Sequence, residues 1–267
     1  MRGSAAGRAQ PRFAHGKRKR PHVIVLAVYQ AVVDARAAEW VVAGLRGFAE
    51  SVVSLVPACF SEYLRVFHPA YRRAGSDRLA VAWAEIARAN GMRMHAGVQL
   101  GSITGSERHE WESQPGVFDQ PPETGNLPGE QLEPLLDVLA RHTGTPAGCY
   151  FAVWDGLAWL PPEVRSAATF SVPQRTYHLV TGPIEAVREL ADAWQPLGAP
   201  QSPNLWWPRD HAWCVATEVD LKTTYIGADR SCAQELISLP AVEAATVAPD
   251  LGIDWFSDTL NPRPTSA

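Results

Sequence analysis

Cysteine is scarce in this chain. The four among 267 residues, Cys59, Cys149, Cys214 and Cys232, stand far apart, with no C-x-x-C pair and no histidine at zinc-ligand spacing. They read as small hydrophobes and free thiols, which favours a reducing compartment and hence the cytoplasm. Lysine is also scarce, so positive charge rests mainly on arginine, and a formal net charge of -4 provides no field to draw nucleic acid to the folded part. The apolar run 23–33 has 11 residues, short of the roughly 20 a membrane span requires, so no membrane partner is expected. H-E-x-x-H, G-x-S-x-G, a Walker A loop and G-x-G-x-x-G are all missing, as is any internal repeat. Each absence counts against a common enzyme class, and nothing calls for a metal or another cofactor.

What is present is a globular composition, 46% hydrophobic and 19% charged, in a chain long enough to bury a substantial core. Residues 1–37 read as a basic, disordered leader holding Lys17-Arg18-Lys19-Arg20, residues 38–258 as one domain, and residues 259–267 as a frayed tail. The leader also resembles a secretory signal with an A-x-A site at Ala35-Arg36-Ala37, but Tyr29 and Gln30 interrupt its apolar run and Asp34 and Arg36 crowd the cleavage position. An over-long start and an added strand or helix stay open as alternatives.

Within the domain, Trp40, Val41, Leu45, Phe48 and Val52 recur at helical spacing from Ala38, and residues 53–56 read as a strand entry. Residues 60–67 alternate, with Tyr63, Arg65 and Phe67 on one face and Leu64 and Val66 on the other. A loop over 70–78 is expected to lead to a helix over 79–91 with Leu79, Ala82, Trp83 and Ile86 inward, then a long polar connection over 101–126. A helix follows Pro128, with Leu132, Leu135, Leu136 and Leu139 buried. Residues 148–156 are apolar on both parities and predict a central strand. After a proline-marked loop, residues 174–182 predict a strand, and Ile184, Val187, Leu190, Ala191 and Trp194 the core face of a helix. Prolines 196, 200 and 203 mark a loop. A strand over 212–219 then pairs with a short one over 223–227, a helix follows Asp229 as its cap, and residues 241–247 make a turn. The order predicts an α+β fold, a largely antiparallel sheet with helices packed against it.

Several phrases are distinctive: Val66-Phe67-His68-Pro69-Ala70, Trp83-Ala84-Glu85-Ile86-Ala87, Cys149 to Gly156, Tyr177-His178-Leu179, and Ser202-Pro203-Asn204-Leu205-Trp206-Trp207-Pro208 through Asp220. Over residues 38–258 the chain resembles a family of uncharacterised bacterial proteins. That resemblance implies a domain boundary near residue 38 and no catalytic residue.

Candidate ligand-binding residues are Trp154, Asp155, His178, Trp206, Trp207, Asp210 and His211. Trp206 and Trp207 offer aromatic walls beside the carboxylate–imidazole pair of Asp210 and His211, and a structural clamp at a sheet end is the competing account. Glu218 and Asp220 share strand parity, with carboxylates about 7 Å apart. They suit a cation or acid–base work, or simply a solvated strand end. His68, His95 and His178 could join Asp155 only if their strands are neighbours. The two polar ends of the Trp206 segment are about 25 Å apart when extended, too far to share a site. The reading is a non-enzymatic binding or interaction domain with an aromatic-lined surface, its partner an unknown protein or small molecule. The alternative is a hydrolase-like or transferase-like enzyme using a His/carboxylate site.

Overall fold

The computed structural model describes residues 28–193 and 201–265. Eleven strands run in chain order as β1 (Gln30–Ala31), β2 (Glu62–Phe67), β3 (Ala70–Ala74), β4 (Asp77–Val81), β5 (Cys149–Trp154), β6 (Thr169–Val172), β7 (Arg175–Gly182), β8 (Leu205–Pro208), β9 (Cys214–Thr217), β10 (Thr223–Ala228) and β11 (Ala244–Thr246). The α-helices are α1 (Glu39–Gly44), α2 (Trp83–Ala89), α3 (Leu100–Thr104), α4 (Gly129–Arg141), α5 (Pro162–Arg165), α6 (Ala186–Asp192) and α7 (Arg230–Ile237). Nine strands form one sheet in the order β1-β7-β5-β8-β9-β10-β2-β11, with β6 also paired to β7, and β3 and β4 form a separate hairpin. Every pairing is antiparallel. The fold is α+β, as the element order predicts.

Strand alternation divides the core in two. Leu64, Val66, Phe151, Val153, Val180, Trp206, Val215 and Ile226 face the leucine stripe of α4 and the apolar sides of α6 and α7. Tyr63, Ala152, Tyr177, Leu205, Trp207, Ala216 and Tyr225 point the other way, where short helical turns and loops cover them with Val41, Val52, Val56 and Ile253. Gly227 belongs to this second face because the 56–60 segment lies directly on it: a Cβ there would stand 2.3 Å from Phe60 and 2.7 Å from Val56. A smaller cluster of Phe67, Trp83, Ile86, Leu100, Ile103 and Phe118 sits at one end.

Several elements differ from expectation. The first helix stops at Gly44 instead of reaching Val52, since Gly47 and Ala49 adopt positive φ of 67° and 54° and turn the chain back, and Val52–Ser54 is a single 3-10 turn where a strand entry was expected. The expected loop over 70–78 and the first turn of the next helix are the β3–β4 hairpin, closed at Gly75 with φ 64°. Leu79 therefore lies 54% exposed on a strand and not on a buried helix face. Helix α2 starts at Trp83, where the Glu243 carboxylate accepts from the first two backbone N–H groups at 2.6 and 2.8 Å. The 101–126 connection holds most of α3 and the 3-10 turn Glu107–Glu110. Strand β6 lies in the expected proline loop, and β11 replaces the turn over 241–247.

The long strand over 212–219 is shorter, and Trp206 and Trp207 occupy their own strand beside it, the two joined through a turn in which His211 has φ 58°. Of the leader, residues 1–27 fall outside the described residues, as do Trp194, Pro196 and Pro200. Gln30 and Ala31 pair with Thr181 and Val180, and Tyr29 is buried, so this part of the expected leader is built into the sheet edge. In the expected frayed tail, Asn261 Nδ2 donates to Arg93 O at 2.9 Å and Thr265 N to Gly105 O at 3.1 Å. Cys149, Cys214 and Cys232 are buried and Cys59 is exposed, all four as free thiols.

Candidate functional site

The seven candidate residues do not converge. Trp206 and Trp207 are consecutive on a strand, so their rings lie on opposite faces of the sheet. Trp206 packs edge-on against Trp213 at 5.1 Å on the helix side, and Trp207 meets Trp40 at 5.9 Å on the other. His211 is exposed and stacks on Trp40 at 4.3 Å, and burial against it lowers the imidazole pKa despite the neighbouring Asp210. Asp210 ties down the end of α4. Its carboxylate accepts from Thr143 Oγ1 at 2.8 Å and Gly144 N at 2.7 Å, and such bonds outweigh partial burial and lower its pKa. His178 lies on β7 with Nδ1 3.4 Å from Ala167 O, on the face opposite Tyr177. Asp155 is exposed in the turn after β5, and the half-buried Trp154 lies under the Arg175 guanidinium at 4.9 Å.

His68 is fully buried between Glu123 O and Thr224 Oγ1, both at 2.9 Å, and burial pushes its pKa down to about 4. His95 donates to Asp258, whose side chain is inaccessible to solvent. That carboxylate also accepts from the backbone N–H groups of Gln99, Leu260 and Asn261 and from Asn261 Nδ2. Burial works against its ionisation, but the bonds from Asn261, His95 and Leu260 prevail and hold it at about 2.

A cavity of about 470 Å³ opens instead on the sheet face not covered by the long helices. Its floor is made by Arg65 of β2, Thr223 of β10, Ala216 of β9 and Leu205 of β8, and its walls by the segments around residues 45–55, 99–111, 172–175 and 253–255. Tyr177, Trp83, Trp111, Phe48 and Trp255 give it aromatic sides, and no histidine lines it.

Three cations face this space. Arg175 is held by Glu218 at 2.8 Å and Asp220 at 3.2 Å, so the two carboxylates of the strand end serve one guanidinium. Burial raises the Glu218 pKa, with Arg175 acting in the opposite direction. Lys222 Nζ donates to Thr124 Oγ1 at 3.0 Å, stands 3.5 Å from Glu110 and lies 3.9 Å from the centre of the Trp111 ring. Burial lowers the Lys222 pKa and raises that of Glu110, while each group's charge steadies the other. Arg65, 2% exposed, has no carboxylate within ion-pair distance among the described residues. Its Nη1 donates to Ala96 O at 3.1 Å and Val98 O at 2.8 Å, its buried Nε has no partner, and its cation lies over Phe67, Trp83 and Tyr225 at 4.9–5.9 Å. Burial pushes its pKa below the ordinary arginine value.

A space of this size suits a small organic molecule, and its mixture of aromatic walls with a few charged groups is the usual chemistry of such sites. Among the described residues no group of three or more His, Cys, Asp or Glu side chains is placed to hold a metal ion, and no helix is long and apolar enough to cross a membrane. Two signals in the sequence point to the cavity. Arg65 stands on an aromatic strand face between Tyr63 and Phe67, and Lys222 is the one lysine after the leader. Glu110 and Arg175 carry no comparable signal. A scan against protein-family models and searches of curated proteins and of solved structures find no match.

Proposed function

We propose that this protein is a binding domain for a small organic molecule and that the cavity over β2, β10, β9 and β8 is its site. The observation that carries the reading is the convergence of aromatic walls and three buried or half-buried cations on one space of about 470 Å³. The aromatic lining keeps the expected binding chemistry but moves it to Trp83, Trp111 and Trp255, away from the core residues Trp206 and Trp207. The four free thiols support a reducing compartment, and the cytoplasm is the location we propose.

A second reading is favoured by one specific pair. Glu110 and Lys222, 3.5 Å apart in the same cavity, form a buried acid–base pair in which burial raises the Glu110 pKa and lowers that of Lys222, tuning that suits a proton donor or acceptor toward a substrate. The test of the first reading is a thermal-shift screen of a metabolite library on the native protein and on Ala216→Phe, which places a ring on the cavity floor. A true ligand at one hundred times its Kd stabilises by about 2.7 kcal/mol. That gain is lost in Ala216→Phe while the far-UV circular dichroism is unchanged. Hits that survive in the variant would place binding elsewhere. Chemical turnover of a hit, abolished by Glu110→Gln, would establish the second reading.

A further inference from the structure

Building on the reading of the cavity as a small-molecule site, we propose that its ligand is a monocarboxylate with a flat apolar body, and that Arg65 on the floor takes the carboxylate.

Arg175 and Lys222 each have a carboxylate partner, Glu218 with Asp220 for the first and Glu110 for the second. Among the described residues Arg65 has none, although it is the most buried of the three. The acids nearest in its electrostatic surroundings are already engaged: Glu110 by Lys222 and Gly101 N, and Asp258 by His95, Asn261, Leu260 and Gln99. A guanidinium taken out of water without a counter-charge is costly, and three ring faces at 4.9–5.9 Å offset only part of that cost. An incoming anion supplies the rest.

A purely structural role accounts for only one corner of the side chain. Anchoring the Ala96 and Val98 carbonyls occupies Nη1 alone, which a neutral donor could also do. Those two bonds fix the plane of the guanidinium, and the buried Nε, which has no hydrogen-bond partner among the described residues, lies on the edge it shares with Nη2. A planar carboxylate is the natural complement of such an edge. One unmatched positive charge calls for one negative charge, and the Glu110 and Glu218 carboxylates in the same cavity disfavour a phosphate dianion. The body of the ligand then extends toward the exposed Trp111 and Trp255, whose faces favour a flat apolar group.

The test compares benzoate and 2-naphthoate with their neutral amides and with inorganic phosphate, at constant ionic strength, by thermal midpoint and tryptophan fluorescence. The expected result is that 2-naphthoate binds at least about tenfold tighter than 2-naphthamide, that Arg65→Lys cuts this preference to about threefold, and that Arg65→Met removes it. The acid–amide contrast in the native protein stands even if the Arg65 variants fail to fold. Equal binding of acid and amide overturns the assignment of Arg65 but leaves the cavity as a site. So does a neutral library compound that binds when no acid does. A phosphate effect larger than that of both carboxylates overturns it in favour of a phosphorylated ligand. Failure of the acids together with the whole library removes the site reading, and this proposal falls with it.

Discussion

Replacing Asp258 by Asn removes the charge that fastens residues 254–261 to the rim of the cavity, and its effect is calculable. The carboxylate ionises at about 2 in the folded protein against an ordinary 3.8, with an inaccessible side chain. The difference corresponds to about 2–3 kcal/mol of stability at neutral pH. Because the folded value lies below the unfolded one, this contribution is complete above about pH 5, falls to about half near pH 3 and vanishes below pH 2. Asn also turns an NH₂ toward the N–H donors that now bond the carboxylate, a further loss independent of pH. At pH 7 the expected drop in midpoint is about 5–10 °C. Urea unfolding followed by tryptophan fluorescence at pH 7, 5 and 3 measures both parts. A stability difference between the two proteins that is the same at pH 5 and pH 3 would contradict the lowered pKa of Asp258, since the part that depends on charge must shrink there.

His68, buried and neutral with its pKa near 4 against 6.5, binds fewer protons folded than unfolded between those values. Native stability should therefore fall by about 3 kcal/mol as the pH drops from 6.5 to 4, and His68→Gln should flatten that window; an unchanged slope in urea titrations of the variant would contradict the assignment. Trp206→Ala should cost about 3–5 kcal/mol in urea unfolding yet leave cavity binding intact, because the ring lies on the other face of the sheet. Reductive ¹³C-methylation gives Lys222 its own NMR signal, which should titrate below that of lysine in a reference peptide and lower still in Glu110→Gln; a signal that follows the peptide would rule out the buried pair.

Much of the fold was legible because local pattern and tertiary outcome agree. The alternation at Tyr63, Leu64, Arg65, Val66 and Phe67, the two-sided apolar run at Cys149–Trp154, the leucine stripe of α4 and the Asp229 cap, which accepts from Cys232 N at 2.8 Å, all have one consistent reading. The β3–β4 hairpin was hidden because Leu79, Ala82, Trp83 and Ile86 fit helical spacing while Gly75, the residue that decides, looks like any loop glycine. The cavity was less legible. Its charged groups come from β2, β7, the β9–β10 turn and a loop near residue 110, and the strand order that makes them neighbours follows from pairings a linear pattern does not contain. Trp206 and Trp207 attracted notice as a doublet, but strand geometry itself keeps such a doublet from lining one pocket.

The covering of the free sheet face joins residues far apart in the chain. Val52 N donates to Leu251 O, Val53 N to Pro249 O, and Ser51 bridges to Gly252, while Ser257 and Asp258 grip the segment at Gln99. During synthesis the sheet floor from β2 to β10 is complete once residue 228 has emerged, but the walls from residues 45–55 and 99–111 gain these partners only some 20–30 residues later. A nascent or truncated chain ending before residue 249 would possess the helices, the buried tryptophans and most of the sheet, and still lack an enclosed cavity. The cavity wall formed by residues 253–255 is therefore among the last parts of the fold the growing chain can close.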